Sequence, residues 1–314
     1  MSEVLRQLLD ATAAGPVSEA EARAALARGQ ALLAAGEPGG AAVALRLAAM
    51  VPATRLAAHN LIEAHALPGA FGEWMGLDAR IDPADDVFGF FTGHGSWSSP
   101  QRDYLADGWR TLAELTLLLE RAGRTLTGCA QVLEFASGHG RFTRHLVKAL
   151  GAGRVTVSDV VPGAVAFSTR HFGVQGFVST AEPAALRWPG RYELVFVLSL
   201  FSHLPRATWG AWLRRLWEAV APGGALVFTT HGDFAARRAG VALDESGFHF
   251  VAASESTAID AQEYGTAFTA PAFVQRQLEA LAPRAARWSM APAWFWAHQD
   301  AFVVERARED GAGA

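Results

Sequence analysis

Cysteine is almost absent from this 314-residue chain, neither sign of charge is in large excess, and no apolar run approaches the length of a membrane span. A single cysteine, Cys129, excludes an internal disulfide and a cysteine cluster for zinc. Its apolar flanks, just before a strand-like run, suit a small buried side chain. Lys and Arg total 27 against 31 for Asp and Glu, a formal charge of −4. That balance argues against a broad cationic surface for duplex nucleic acid or anionic lipid, and Arg214 and Arg215 read as the solvated face of a helix. The roughly 20 consecutive apolar residues that a spanning helix needs are not found. The opening MSEVLRQLLDATAAG carries acidic groups and has no apolar core before a small-residue cleavage site, unlike a secretory signal. The expectation is a cytoplasmic, globular protein with no membrane or nucleic-acid partner. With 51% hydrophobic residues, the chain can bury one large or two modest cores.

What is present falls into three stretches. Residues 1–67 form an alanine-rich helical region. A helix ending near Ala35, a turn from Gly36 to Gly40 and a second helix ending before Pro52 would make an antiparallel pair. With Gly36, Ala41, Ala48 and Pro52, this piece resembles one degenerate tetratricopeptide unit, a surface through which a protein partner or a second copy could bind. Such units normally need about three copies to bury their faces, so the simpler reading is a helical cap. Residues 68–103, with DPADDVFGFFTGHGSWSSPQRDY, read as a linker or lid. Residues 104–314 open with a helix from Tyr104 to Ala122, whose Leu105, Trp109, Leu112, Leu115 and Leu119 recur three to four apart and predict one buried face.

From there short β-branched or aromatic runs (AQVLEF, RVTVSD, GFVS, YELVFVLS, GALVFTTH) alternate with helical segments. That alternation implies an α/β fold with a doubly wound, mostly parallel sheet. RAARWSM and FWAHQDAFVVERA read as two further strands that add an antiparallel edge.

The stretch VLEFASGHGRFTRHL, Val132 to Leu146, passes from a buried strand through a glycine turn into a basic amphipathic helix. Ligands of doubly wound sheets lie beyond the carboxyl ends of the strands, where the topology reverses. Gly138 and Gly140 permit a sharp turn and a close approach. Asp159, the next acid at a strand end, follows Gly138 at close to the roughly 20-residue interval at which a carboxylate accepts hydrogen bonds from a ribose. An adenosine-containing cofactor follows. A dinucleotide fingerprint would put a third glycine where Thr143 stands, and Glu134 would repel a diphosphate. A cofactor bearing an ammonium and a sulfonium favours that carboxylate instead. The chemistry points to S-adenosylmethionine.

These residues resemble the class I S-adenosylmethionine-dependent methyltransferases. The family's acidic-x-Gly-x-Gly-x-Gly pattern is matched by Glu134, Gly138 and Gly140, with Ala136 in place of the first glycine and Ser137 inside the turn. Asp159 matches the ribose-binding acid and Val160 the neighbour that packs on adenine. YELVFVLSLFSHLP is similar to the fourth-strand motif, with Glu193 replacing the commoner aspartate and Leu198 and Ser199 meeting the methionine portion. LRRLWEAVAPGGALVFTTHG and HQDAFVVER resemble the Pro-Gly-Gly turn with the fifth strand, and the final strand. The acid often found after the third strand is missing; Thr180 or a backbone carbonyl stands in for it at the adenine amino group.

The resemblance implies methyl transfer by in-line displacement, for which the protein mainly aligns acceptor and methyl donor. A base is needed only where the acceptor must lose its proton early. Two histidines near strand ends are the candidates, His231 (with Asp233 to orient it) and His203. His249 and Tyr264, in the insertion after the fifth strand, and His94 and Trp97, in the loop before the helix at Tyr104, are candidate acceptor contacts. Trp212, at helical spacing from Trp209 and Leu216, reads as core. The residues after the fourth strand, Ser199-Leu200-Phe201-Ser202, lack the pattern of nucleobase amino methylation, Cys129 is misplaced for cytosine methylation, and no acidic metal set is expected. A hydroxyl or amine of a small molecule, a sugar or secondary metabolite, is the leading acceptor. The rival readings are a nicotinamide-dependent oxidoreductase, a non-catalytic interaction protein, and a protein methyltransferase that recruits its target through the N-terminal helices.

Overall fold

The computed structural model describes residues 16–93, 99–254, 259–281 and 285–308. Contacts divide the chain into two compact units, Met1–Ala84 and Asp85–Ala314.

The first unit is helical: α1 (Glu19–Ala34), α2 (Pro38–Ala48), α3 (Pro52–Ala64) and the short α4 (Phe71–Met75). Ser18 caps α1 in a reciprocal box with Glu21. Pro38 and Pro52 each sit in the first turn of a helix, where the missing N–H costs nothing. The glycines at 39 and 40 therefore lie inside α2 rather than in the expected turn, and Pro52 opens a third helix. The core is built of small residues, Ala25, Ala41, Ala42, Ala48 and Ala58 around Leu45 and Ile62, so the helices can pack closely. Asn60 closes the unit by donating to Ile81 O at 2.7 Å and accepting from Ile81 N at 2.9 Å.

The second unit begins with α5 (Asp86–Gly93) and α6 (Pro100–Arg121). On α6 the buried face runs through Tyr104, Leu105, Thr111, Leu115 and Leu119. Trp109 is 61% exposed, contrary to the expected apolar stripe, because the face turned inward includes Gly108 and Thr111 instead.

A seven-stranded sheet follows, from β1 (Val132–Phe135), β2 (Val155–Asp159), β3 (Gln175–Val178), β4 (Tyr192–Val197), β5 (Val220–Thr230), β8 (Ala285–Phe295) and β9 (Gln299–Arg306). Its order is β3-β2-β1-β4-β5-β9-β8. The first five strands are parallel; β9 runs antiparallel to β5 and pairs with β8 in a hairpin. A separate two-stranded ribbon, β6 (Phe248–Val251) with β7 (Thr266–Thr269), occupies the insertion after β5.

The helices of this unit are α7 (Thr143–Leu150), α8 (Pro162–Phe172), α9 (Arg206–Glu218), α10 (Asp233–Ala239) and α11 (Pro271–Glu279). Both faces of the sheet are covered, which is why the central strands are apolar throughout rather than alternating. Val195, Val197, Leu226 and Phe228 meet Trp209 and Trp212 on one face. Leu194, Phe196, Ala225 and Val227 meet Leu115, Leu119 and Phe142 on the other. The chain reverses direction across the sheet between β1 and β4. Among the described residues no helix is long and apolar enough to cross a membrane.

Candidate functional site

Beyond the carboxyl ends of β1, β2, β4 and β5 the chain gathers two groups of polar side chains. The first surrounds the turn after β1. Ala136, Gly138 and Gly140 all have positive φ, at 58°, 55° and 80°. A β-carbon on Gly138 would meet nothing within 4 Å, whereas one on Gly140 would lie 2.3 Å from the Phe172 ring. Sequence reading gave both glycines one role; the structure separates them. Gly138 leaves open space at the turn, and Gly140 lets α8 pack against it.

Asp159 holds this turn from the neighbouring strand, accepting from Gly138 N–H at 2.8 Å and Val161 N–H at 2.9 Å. Burial raises its pKa above the ordinary carboxylate value, opposed by those two N–H groups and by the nearby His139. Ser137 is buried and donates its N–H to Ser158 O at 3.1 Å. Glu134 is buried at the end of β1 and accepts a hydrogen bond from Thr143 Oγ1 at 2.7 Å. Burial pushes its pKa to about 8, the Thr143 hydroxyl draws it back, and Asp159 raises it further. Thr143, which sequence reading noted only as a missing glycine, is thus the residue that holds Glu134.

Val160 and Thr180 are half-buried at the ends of β2 and β3, and the Thr180 hydroxyl donates to Glu182 O at 2.7 Å. Arg144, in the basic amphipathic helix that follows the turn, is only 1% exposed. Its Nε donates to Gly140 O at 2.9 Å, and its guanidinium lies over the rings of Phe172 and Tyr104. Those contacts compensate its burial.

The second group lies at the ends of β4 and β5 and at the β8–β9 turn. Leu198 and Ser199 leave β4, with Ser199 at φ 63°. Its N–H donates to Thr229 Oγ1 at 2.8 Å, and its hydroxyl accepts from Gln299 Nε2 at 3.0 Å. His203 is buried; its Nδ1 lies 2.6 Å from Gly265 O, and its ring stacks on Tyr264 at 4.4 Å and 14°. His231 is half-buried, with ring centroids 6.2 Å from His203 and 5.3 Å from His298. Burial lowers its pKa to about 3, helped by His203 and His298 and opposed by the Ala267 backbone. Among the described residues no group of His, Cys, Asp and Glu is arranged to hold a metal ion.

One acceptor candidate falls elsewhere. His249 lines a separate open cleft of about 430 Å³ with Arg206, Asp244, Phe248 and Phe250. His94 and Trp97 lie outside the described residues. Asp233 opens α10, and the polar side chain that reaches His231 is Gln299. Sequence reading missed Thr229, His298, Gln299 and Asp300. The last two are buried polar residues directly ahead of the apolar run Ala301–Val304, which was the available signal.

Residues 132–224 match the family model described as a methyltransferase domain. That segment runs from β1 through the Pro-Gly-Gly turn in β5. The strand order, with its antiparallel β9 inserted before β8, is that of the class I methyltransferase fold. No curated protein matches the chain. Among solved structures it is similar to the magnesium protoporphyrin IX methyltransferase ChlM from Synechocystis PCC 6803 with bound SAH, at 17% identity over 79% of this chain and 99% of that one, TM-score 0.45. It is similar to a 1,6-didemethyltoxoflavin-N1-methyltransferase from Burkholderia thailandensis, at 17% identity over 71% and 88%, TM-score 0.44. A complex of DhpI with SAH gives 20% identity over 72% and 99%, TM-score 0.43.

Proposed function

We propose that this protein is an S-adenosylmethionine-dependent methyltransferase that acts on a hydroxyl or amine of a small molecule, with sugars and secondary metabolites as the leading acceptors. The observation that carries this reading is Glu134, a carboxylate buried at the switch point beside an open glycine turn and, among the described residues, in no salt bridge. An ammonium is the natural complement of such a group, because a buried carboxylate without a cation is held near neutrality only by taking up a proton. Asp159 supplies the second acceptor, for ribose hydroxyls. The donor set therefore fits the cofactor.

Glu134 would face the amino group, and the turn through Ala136, Ser137, Gly138 and Gly140 would lie along the methionine portion with Leu198 and Ser199. Asp159 would hold the ribose, and Val160 and Thr180 would border the adenine. When bound, the cofactor supplies a methyl group activated by a positively charged sulfur. The protein's own contribution is to bring an acceptor lone pair into line and keep water out. His231 stays neutral throughout the physiological range, so it offers a lone pair at every working pH. A base this weak does not ionise an alcohol in advance. It can receive the proton late, once the oxygen has begun to gain its new bond and the proton has become strongly acidic. His203, fixed by Gly265 and Tyr264, would shape the wall behind it.

The test is transfer of labelled methyl from S-adenosylmethionine to a panel of sugars, phenols and amines, read as labelled product together with S-adenosylhomocysteine. Product from a hydroxyl or amine acceptor supports the reading. Label transferred only to a protein substrate would move the assignment to protein methylation.

A further inference from the structure

We propose that Gln299 is a positioning residue that locks His231 in one neutral tautomer, with Nε2 unprotonated and its lone pair held by the Gln299 amide until an acceptor replaces it. The argument follows the hydrogens along one chain of contacts. Thr229 is wholly buried, and its Oγ1 accepts the Ser199 N–H at 2.8 Å. The Thr229 hydroxyl proton is then free to be given to Gln299 Oε1, 2.5 Å away. The short length suits O–H···O, the buried Thr229 proton has this oxygen to go to, and Ser199 Oγ, 3.3 Å from Oε1, can donate there too; together they assign this end of the Gln299 amide as oxygen. The opposite end, Nε2, can only donate. It faces Ser199 Oγ at 3.0 Å and His231 Nε2 at 3.4 Å. His231 Nε2 then accepts, and the ring proton resides on Nδ1, a buried nitrogen that makes no hydrogen bond of good geometry among the described residues, so the contact with Gln299 is what sets the tautomer. Burial and the two neighbouring imidazoles, which lower the His231 pKa to about 3, keep a second proton off the ring.

The scaffold around this chain carries backbone strain. Ser199 has φ 63°, and Trp296 and Ala297, in the turn that delivers Gln299, have φ 55° and 53°. Non-glycine residues pay a steric cost in this region, and strain of this kind persists where surrounding contacts hold it and often marks a site. Here it tightens the β8–β9 turn, closed by His298 N–H to Phe295 O at 2.9 Å. The turn sets Gln299 against residues from the ends of β4 and β5. The Gln299–His231 contact, at 3.4 Å, is long enough to yield to an incoming donor. A neutral O–H or N–H then meets a lone pair, whereas an anionic acceptor meets that lone pair and no cation from these residues. The assignment of this lone pair to an acceptor rests on the methyltransferase reading; the tautomer does not.

Long-range ¹H–¹⁵N correlation spectra of the full-length, ¹⁵N-labelled protein read the tautomer directly. The His231 signals are identified by their loss in His231→Asn. The expected result is a pyridine-type Nε2 and a pyrrole-type Nδ1, unchanged from pH 8 to pH 6. In Gln299→Glu the carboxylate accepts rather than donates, so Nε2 gains a proton, either by an inverted tautomer or by a doubly protonated ring. Thr229→Val, which frees the amide to turn over, mixes the two tautomers and serves if Gln299→Glu does not fold. A pyrrole-type Nε2 in the wild type overturns the inference, as does a wild-type pattern that survives both substitutions. Titration of the same wild-type sample with S-adenosylmethionine keeps the two readings apart: failure to bind counts against the methyltransferase, and a protonated Nε2 counts against the lock.

Discussion

The carboxylate half of the site comes from a single β-α-β unit, between Glu134 and Asp159, whereas the imidazole half joins Ser199 to Gln299 across 100 residues of chain. The first half is made of backbone groups and two acids whose spacing along the sequence is set by the length of one helix. The second is made of side chains from the ends of β4, β5 and β9, brought together by sheet order alone. Their electrostatics also oppose each other. Burial pushes Glu134 up to about 8, toward its neutral protonated form, and pushes His231 down to about 3, toward its neutral unprotonated form. Glu134 and His231 both wait uncharged, but only Glu134 gains by meeting a cation.

Substitutions at the glycine turn give the largest expected effect. Gly140→Ala combines a positive φ with a collision against Phe172, and a loss of about 2–4 kcal/mol in urea unfolding is expected. Gly138→Ala carries only the backbone strain, about 1–2 kcal/mol, but fills the open space beside Asp159, so cofactor affinity should fall more than stability does. Equal stability losses for the two would remove the distinction between a packing glycine and a binding glycine.

The opposed charges predict opposed pH slopes. The folded protein holds the Glu134 proton more tightly than the unfolded chain does. The resulting stability is full below the ordinary value of 4.5 and is lost as pH rises toward 8. Within that window the slope approaches about 1.4 kcal/mol per pH unit, and Glu134→Gln should flatten it when urea midpoints are compared at pH 5 and pH 8. His231 acts in the other direction: its folded pKa lies below 6.5, so its contribution is present above that pH and is lost as pH falls toward 3. His231→Asn should remove this acid-side loss, whose limiting slope is likewise about 1.4 kcal/mol per pH unit. The smallest effect is expected at Tyr264. Its ring stacks on His203, so Tyr264→Ala should cost about 1 kcal/mol in urea unfolding.

This contrast also explains what could be read in the sequence. Alternating apolar runs and helices define the doubly wound sheet, because a strand covered on both faces has to be apolar along its length. Glu134, Gly138 and Asp159 are legible for the same local reason: one strand, one turn and one helix fix their separation. Thr229, His298 and Gln299 have no such rule. Their proximity depends on β9 inserting next to β5, and a polar residue at a strand start carries no sign of which neighbour it will meet. Trp109 shows the complementary limit. It fits the helical period of α6, yet Gly108 and Thr111 face inward and leave it exposed. Periodicity gives the stripe, and close approach by the next element decides its edge.

The central claim is that the Glu134 and Asp159 half binds S-adenosylmethionine. Calorimetric titration of the purified protein with S-adenosylmethionine, S-adenosylhomocysteine and NAD, beside folded Asp159→Ala, tests it most directly. The account predicts saturable binding of the two sulfur cofactors, lost in the variant, and no binding of NAD. Binding of NAD alone, or of none of the three, would contradict it.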